Sequence, residues 1–314
     1  MNILVTGGAG FLGTHIAKRL ALRGDKVIVF DSLITSATKE LEAFRDSVKL
    51  VQGDILDSQL LESLVKENKI QKIVHAAAVV GTPLSVKDPL LTAKINLLGS
   101  INIMELVKKF DLSRAVEISS EETYGAFRYE PADENHPLAP YSPYGITKVA
   151  SEWYADYYHQ YYGISYLTVK TSWVYGPGLR KDRSPRNFIR RALDNRPLEL
   201  SCGGDQRIDH VYVEDLVEGI VLALDKENPK YRVYNIATGK SYSLREVVDM
   251  VKSFIPSARI TIGPGMLEFA PGFYFPQKGA MDISRAASDL GYQPKFDLRS
   301  GLSKYIEHLR ANEY

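Results

Sequence analysis

The stretch that decides the fold is NILVTGGAGFLGTHIAKRLALRGDKVIVFDS, residues 2–32. It reads as an apolar strand, a glycine-rich turn, an amphipathic helix and a second apolar strand, as in a parallel sheet buried on both faces. Gly7, Gly10 and Gly13 have G-x-x-G-x-x-G spacing between strand and helix. Glycines at such a junction allow a tight turn, close approach of the backbone to a pyrophosphate and close helix packing, and the helix N-terminus offers free N–H groups. The stretch therefore predicts a dinucleotide-binding fold, with a ligand-free glycine turn as the alternative.

The choice of dinucleotide follows from the end of the second strand. Asp31 stands there, about twenty residues after the glycines. A carboxylate at this place accepts hydrogen bonds from the adenosine ribose and repels a 2′-phosphate, so NAD is favoured over NADP. An aspartate that only caps a helix is the alternative. Asp54 and Ile55, in LVQGDI, follow a third apolar strand and are predicted to lie at the adenine.

The strand and helix pattern repeats along the chain. KIVHAAAVV, residues 72–80, is a buried strand followed by the small residues Ala76, Ala77 and Ala78, across which a cofactor can lie flat. A long amphipathic helix and the strand RAVEISS come next. This alternation predicts an α/β fold, a Rossmann-type doubly wound parallel sheet with a smaller C-terminal substrate-binding domain. We expect residues 1–175 to form the NAD-binding domain, with the chain returning to it around 208–238, and residues 176–314 to form mainly the smaller domain.

The segment YSPYGITK carries two residues that belong together chemically. Tyr144 and Lys148 are four apart, so they share one face of the helix that Pro143 begins. An ammonium there stabilises the phenolate and lowers the tyrosine pKa. Tyr144 is then able to exchange a proton with a substrate hydroxyl.

Together these motifs resemble the extended short-chain dehydrogenase/reductase family, in its sugar-nucleotide epimerase/dehydratase branch. The resemblance rests on TGGAGFLG, GDI, HAAA, LLGS, SSEETYG, SPYGITK, VYGPG, VYVEDLVEGI and YNIATG. It implies a tightly held NAD that is reduced and reoxidised within one turnover. It also implies that Ser120 binds the reacting oxygen, that Tyr144 is the acid/base, and that Lys148 binds the nicotinamide ribose. The cofactor-binding residues that it implies are Gly7, Gly10, Phe11, Leu12, Gly13, Asp31, Asp54, Ile55, Ala76, Ala77, Ala78, Asn96, Tyr144 and Lys148.

Two adjacent carboxylates follow Ser120. In the family that the chain resembles, many 4-epimerases have small neutral residues here, whereas dehydratases and uronate decarboxylases carry a glutamate at the position of Glu122. A 4-keto sugar acidifies its α-proton, which Glu122 can remove as a base. Glu121 stands at the position of an acid that protonates a leaving hydroxyl. The two glutamates can act as acid and base if their environments give their carboxyl groups different pKa values. A solvated glutamate pair is the alternative.

The substrate half departs from the family pattern. The positions that normally contact a nucleotide diphosphate are Trp173, Ile208 and Ala270 in this chain. A basic segment, GLRKDRSPRNFIRRALDNR, offers arginines that bind phosphate or carboxylate bidentately. We predict that an anionic sugar substrate contacts Ser120 and the arginines Arg180, Arg183 and Arg207, with a solvated helix face as the alternative reading of the basic segment.

Composition limits the other possibilities. The formal net charge of +1 disfavours a general nucleic-acid binder or a polybasic membrane protein. The single cysteine, Cys202, favours a reducing, cytoplasmic setting. We expected no apolar run of membrane-spanning length, no signal peptide and no metal site. The tyrosine-rich helix after Tyr144 is predicted to make packing or homodimer contacts.

Three functions remain open at this stage. The first is an NAD-dependent epimerase or dehydratase that acts on a nucleotide sugar or similar anionic sugar through a transient keto intermediate. The second is an NAD-dependent dehydrogenase of an anionic sugar or hydroxy acid. The third is a non-catalytic NAD-binding scaffold, which the complete Ser-Tyr-Lys set disfavours.

Overall fold

The computed structural model describes residues 1–33 and 38–312. The strands in these ranges are β1 (Asn2–Thr6), β2 (Lys26–Asp31), β3 (Val48–Gln52), β4 (Lys72–His75), β5 (Arg114–Ser120), β6 (Tyr166–Thr171), β7 (Trp173–Tyr175), β8 (Leu198–Leu200), β9 (Arg207–Ile208), β10 (His210–Tyr212), β11 (Val233–Asn235), β12 (Tyr242–Ser243), β13 (Ile260–Ile262), β14 (Glu268–Ala270) and β15 (Phe273–Tyr274). The α-helices are α1 (Phe11–Leu22), α2 (Thr38–Glu42), α3 (Ser58–Glu67), α4 (Thr82–Lys87), α5 (Pro89–Ala93), α6 (Gly99–Phe110), α7 (Pro143–Tyr162), α8 (Arg186–Leu193), α9 (Val213–Asp225), α10 (Leu244–Phe254) and α11 (Leu298–Asn312).

The main sheet has seven parallel strands in the order β11-β6-β5-β4-β1-β2-β3. The chain runs outward from β1 to β3, then crosses back to β4 and runs outward in the other direction. The carboxyl ends of β1 and β4 therefore flank the point where the strand order reverses, which is where such sheets bind ligands. The predicted Rossmann-type doubly wound sheet is confirmed.

Alternate residues of the central strand face two different helix layers. Ile3 and Val5 pack with residues of α1 and α9, whereas Leu4 packs with residues of α3 and α6. All three are fully buried. This period of two, with both faces apolar, explains why the strand reads as a continuous hydrophobic run.

One helical segment is long and apolar enough to cross a membrane by length and composition. It is the continuous run Pro89–Phe110, which comprises α5, a π-turn and α6 and has a mean hydropathy of 1.3 in its most apolar window. The expectation that no apolar run has this length is therefore wrong. The segment packs against α7, α3 and β5, as a core helix does, and 44% of its apolar window is buried.

The C-terminal half builds short two-stranded sheets beside the main one. They pair β7 with β10, β9 with β12, β8 with β13 and β14 with β15. Their apolar core is lined by residues of α8, α10 and α11. The chain also returns to the main sheet, because β11 pairs with β6 and α9 packs on α1. The domain limits at 175 and 176 stay a prediction.

Candidate active site

The glycine loop between β1 and α1 forms a cradle that a side chain would fill. Gly7 has φ +66°, and a Cβ there would come within 2.6 Å of the Ala77 backbone nitrogen. A Cβ on Gly13 would come within 2.1 Å of the Gly7 carbonyl oxygen. Gly10 is the N-cap of α1, and no side chain caps it within the described residues. The first turn of α1, which includes Phe11 and Leu12, contains no acidic side chain. The loop therefore fits a pyrophosphate at the helix N-terminus.

Asp31 stands at the edge of this cradle. Its carboxylate accepts hydrogen bonds from the Ala9 and Leu33 backbone N–H groups, both at 2.9 Å. The aspartate thus anchors the glycine loop to the end of β2, where an adenosine ribose would lie. Asp54, after β3, is exposed and accepts a hydrogen bond from the Leu56 N–H at 2.9 Å. The Ile55 side chain is buried against Gly99 of α6.

The end of β4 provides a flat wall of small residues. Ala76, Ala77 and Ala78 are half-buried and follow β4 directly. Asn96, which is buried in the π-turn, holds Val79, the residue after Ala78, by two hydrogen bonds. Its Oδ1 accepts from the Val79 N–H at 2.8 Å and its Nδ2 donates to the Val79 carbonyl at 3.1 Å. Loop, carboxylate and wall together fit an extended dinucleotide.

Ser120, Tyr144 and Lys148 meet where β5 ends against the start of α7. The Ser142 Oγ caps α7 by accepting from the Gly145 N–H at 3.2 Å, which fixes the first turn of the helix. The Tyr144 phenol is hydrogen-bonded to the Ser120 side chain. Burial raises the pKa of Tyr144, and the nearby Lys148 ammonium opposes this without cancelling it. Lys148 therefore acts to lower the pKa of Tyr144, as predicted, but the desolvation of the phenol raises that pKa by more.

Glu121 and Glu122 are buried, which removes the solvated-pair interpretation. They are 1% and 6% exposed in a single 3₁₀ turn after β5. Burial raises the pKa of Glu121 to about 7; Lys278 and the Ser172 hydroxyl, which donates to its Oε2 at 2.9 Å, oppose this rise. Its Oε1 is buried with no hydrogen-bond partner among the described residues. Glu121 is therefore poised to hold a proton near neutral pH.

Glu122 faces a different set of groups. The Tyr141 phenol is hydrogen-bonded to its carboxylate. Its Oε2 is buried with no hydrogen-bond partner within the described ranges. A buried carboxylate oxygen without a partner is costly, and such atoms in native structures are often found at ligand or catalytic sites. The unpaired oxygens of the two glutamates therefore indicate a surface that a substrate completes.

The three predicted arginines lie in different environments. The Arg183 guanidinium stacks on the Trp173 ring at 5.3 Å and donates to the Val174 carbonyl at 3.0 Å. Its charge acts on Tyr144 as well as on Glu121 and Glu122, so the structure brings it to the reacting groups. Arg180 is exposed in the loop after β7.

Arg207 is engaged elsewhere. Its Nε donates to the Ser241 Oγ at 2.9 Å and its Nη2 donates to the Ser241 carbonyl at 2.6 Å. Its Nη1 lies 3.5 Å from a Glu246 carboxylate oxygen. The neighbouring Ile208 is 1% exposed and belongs to the C-terminal core, which explains why that position is apolar here.

Four site residues escaped the sequence reasoning: Glu117, Tyr141, Ser172 and Lys278. Lys278 is 3% exposed and its Nζ donates to the Glu121 carbonyl at 3.1 Å. It lies between the Phe127 and Tyr141 rings, at 5.3 and 5.7 Å from their centroids. Nothing local in FPQKGAM marks it, because its role follows from a contact 157 residues away. Among the described residues, no group of three or more His, Cys, Asp or Glu side chains is arranged to hold a metal ion.

Known proteins resemble this chain along its whole length. The model of the NAD dependent epimerase/dehydratase family matches residues 3–237. A putative UDP-glucose 4-epimerase of Methanocaldococcus jannaschii is 34% identical, over 99% of both chains. The UDP-glucose 4-epimerase of Thermotoga maritima, solved with UDP-glucose, superposes with a TM-score of 0.89 at 28% identity and covers 100% of both chains. The dTDP-glucose 4,6-dehydratase of Bacillus anthracis, solved with NAD, gives 0.87 at 27% identity, over 100% of this chain and 97% of the other.

The family match spans the sheet, the glycine loop and the Ser120, Tyr144 and Lys148 cluster. The two solved structures represent two reaction types, epimerisation and dehydration. Sequence, fold and site geometry thus agree on one conclusion: this chain is an enzyme of the NAD-dependent epimerase/dehydratase family, of the extended short-chain dehydrogenase/reductase type.

Proposed function

We propose that the enzyme is a nucleotide-sugar dehydratase, which oxidises a sugar hydroxyl, removes the proton from the adjacent carbon and expels a hydroxyl as water. The observation that carries this proposal is the buried Glu121–Glu122 pair beside Ser120, with the pKa of Glu121 raised to about 7. A plain 4-epimerase moves only the hydrogens of one carbinol centre. It has no use for two buried carboxylates at that place.

The chain supplies each proton transfer. When bound, NAD would accept the hydride of the carbinol carbon and, after the elimination, would return it to the carbon that lost the hydroxyl, while the adjacent α-carbon regains a proton. Tyr144 accepts the hydroxyl proton while Ser120 holds the oxygen, and the Lys148 ammonium stabilises the phenolate. The resulting ketone acidifies the α C–H bond.

Elimination then uses the glutamate pair. Glu122, acting as the base, takes the α-proton, and the electron pair of that C–H bond forms a carbon–carbon double bond. Glu121, protonated, gives its proton to the departing β-hydroxyl, which leaves as water. The separation of the two carboxyl environments is what assigns acid and base.

Support for a nucleotide-sugar substrate comes from the relatives, whose names specify UDP-glucose and dTDP-glucose. Besides Lys148, the cations near the reacting groups among the described residues include Arg183 and Lys278. Arg180 precedes Arg183 by three residues in the same basic segment. We propose that Arg183 contacts the anionic substrate and that Arg180 contributes at the entrance. The contacts of Arg207 with Ser241 and Glu246 make it the weakest of the three predicted substrate residues.

Turnover of dTDP-glucose and UDP-glucose in deuterated water tests the reaction type. The expected result is loss of the β-hydroxyl and deuterium on the α-carbon. Glu122→Gln should lower both by 10²–10⁴-fold, the usual contribution of a general base. Glu121→Gln should stop elimination while α-deuterium exchange continues. Glu199→Gln, on an exposed position in β8, is the matched control.

A 4-epimerase is the second candidate, favoured by the name of the relative at 34% identity. It predicts conversion of UDP-glucose to its 4-epimer with no solvent deuterium on carbon, and a mild effect of Glu122→Gln. That outcome would refute the dehydratase. Stoichiometric release of NADH would instead establish the plain dehydrogenase.

We also propose a homodimer formed through α5 and α7. Large apolar side chains are exposed along these two helices, including Trp153 at 63%, Tyr161 at 69% and Leu90 at 66%. A contiguous apolar surface of this kind marks a protein interface. Trp153→Glu should convert the protein to a monomer in sedimentation velocity, and an unchanged mass would refute this interface. A cytoplasmic location remains our proposal from the single cysteine.

A further inference from the structure

A buried carboxylate lies directly behind the Lys148 ammonium. Glu117, within β5, is 1% exposed, and its Oε1 accepts from the Lys148 Nζ at 3.0 Å. The same oxygen accepts from the Ser100 hydroxyl at 2.9 Å. Its Oε2 accepts from the Tyr166 phenol at 2.9 Å. Donors from α6, α7 and β6 therefore fix this carboxylate from three sides.

We propose that Glu117 is a positioning residue that holds the Lys148 ammonium in place and charged, screens part of its charge from Tyr144, and so sets the pH range in which Tyr144 exchanges protons. This inference rests on the proposed function in one respect, the acid/base role of Tyr144. It requires no particular substrate.

Lys148 needs a counter-charge at this depth. Its side chain is 2% exposed, and burial alone lowers the pKa of Lys148. The charges that oppose this are Glu117, the strongest, then Tyr144 and Glu152, and the net pKa of Lys148 is raised. His75, on β4, faces the same pair; burial lowers its pKa to about 4, so it is neutral at physiological pH. Glu117 is therefore the strongest of the groups that keep the Lys148 ammonium charged.

Tyr144 faces the Lys148 ammonium together with groups from several elements. They come from its own helix (Lys148), from the end of β5 (Ser120 and Glu122) and from the loop after β7 (Arg183). Burial raises the pKa of Tyr144, and the Lys148 ammonium opposes the rise. Glu117 lies 3.0 Å from that ammonium and attracts it as well. The stabilisation that reaches the phenolate is thereby reduced.

A purely structural role explains Glu117 less well. Replacing a buried ion pair by packed apolar residues is often neutral or even stabilising, so burial of a glutamate in β5 is a poor device for stability. Its neighbours Ala115 and Val116 are apolar and fully buried. The residue makes physical sense if the lysine in front of it must remain charged.

Glu117→Gln tests the proposal, because glutamine keeps the size and the hydrogen-bonding shape while removing the charge. The measurement is the tyrosinate absorbance of the NAD-loaded protein during a pH titration. Subtracting the same titration of a Tyr144→Phe partner variant isolates Tyr144. We expect the Tyr144 titration to move to lower pH, because the negative charge that draws on the Lys148 ammonium is removed while Glu152 and the phenolate still favour the charged lysine. The basic limb of the activity profile should move to lower pH as well, because Lys148 loses its counter-charge.

Tyr166→Phe is the matched control, since it removes a hydrogen bond to the Glu117 Oε2 and leaves the charge. It should not displace the Tyr144 titration. Glu117→Asp keeps the charge but withdraws it from Lys148 by one methylene. It should move the Tyr144 titration in the same direction as Glu117→Gln, by a smaller amount, and it tests the proposal if Glu117→Gln does not fold. An unmoved titration in the folded variant, with only a lower melting temperature, would overturn the inference. Full turnover by Tyr144→Phe would instead refute the acid/base role itself.

Discussion

The glycine loop allows a prediction that separates stability from cofactor binding. In Gly13→Ala the new Cβ would lie 2.1 Å from the Gly7 carbonyl oxygen and 2.6 Å from the Gly8 Cα. An ordinary contact begins at 3.4 Å, so backbone atoms must shift by about 1.3 Å. Forcing atoms into a packed site costs about 1–3 kcal/mol, and a backbone clash of this size belongs at the upper end. At roughly 2–4 °C per kcal/mol, the melting temperature should fall by about 6 °C or more.

Gly10→Ala is the matched comparison in the same loop. Its Cβ would meet only the Gly7 carbonyl oxygen, at 3.2 Å, and Gly10 has no positive φ. The fold should therefore tolerate it, with a melting temperature within about 2 °C of the parent. Its Cβ would nevertheless occupy the side of the loop that faces the pyrophosphate. Loss of one hydrogen bond to a charged group, worth about 1.5–3 kcal/mol, should weaken NAD binding by about 10- to 100-fold.

Differential scanning fluorimetry without added NAD and calorimetric NAD titration measure the two effects separately. Gly13→Ala should lower both stability and affinity, whereas Gly10→Ala should lower affinity alone. An unchanged melting temperature for Gly13→Ala would show that the loop relaxes, and the steric argument would fail. Parent-like NAD affinity in Gly10→Ala would show that the pyrophosphate does not approach the loop at Gly10.

Three further outcomes follow from the site. Asp31→Ala should narrow the preference for NAD over NADP in parallel titrations, and tighter NADP binding by the parent protein would refute the ribose assignment. Arg183→Ala should raise KM about tenfold or more, unlike Arg196→Ala on an exposed turn; equal KM values would return Arg183 to a structural role. The pKa of Glu121 is higher in the folded chain, at about 7, than its ordinary value of about 4.5. Its contribution to the free energy of unfolding is therefore fully present below pH ~4.5 and is lost as the pH rises through about 7. The loss amounts to about 3 kcal/mol. Glu121→Gln should flatten the stability difference between pH 4 and pH 8, and an unaltered difference would contradict the raised pKa.

The parts of the fold that local chemistry determines were predictable. A strand buried on both faces, followed by Gly7, Gly10 and Gly13, has few structural solutions. The parallel sheet and a dinucleotide cofactor follow from it, and Asp31 favours NAD. Tyr144 and Lys148 were predictable for the same reason, because a four-residue spacing on a helix fixes their neighbourhood. The apolar run 89–110 shows that length and composition alone do not distinguish a membrane span from a helix packed on α7 and α3.

The glutamate pair shows where such reasoning ends. Glu121 and Glu122 are adjacent, so only the family resemblance, and not their local chemistry, suggests which is the acid and which is the base. What distinguishes them arrives from distant segments: Ser172 follows β6 and Lys278 belongs to the C-terminal part, and both contact Glu121. Tyr141, from the loop before α7, is hydrogen-bonded to Glu122.

The same holds for Glu117, whose partners Ser100, Lys148 and Tyr166 come from three separate elements. A glutamate inside an apolar strand is the only local sign of it, and that sign does not say which cation lies opposite. The pKa of a buried group is the sum of desolvation and of charges brought by tertiary contacts. The residues that carry the chemistry are therefore visible in the sequence, whereas the proton that each one holds is decided by chain segments up to 157 residues away.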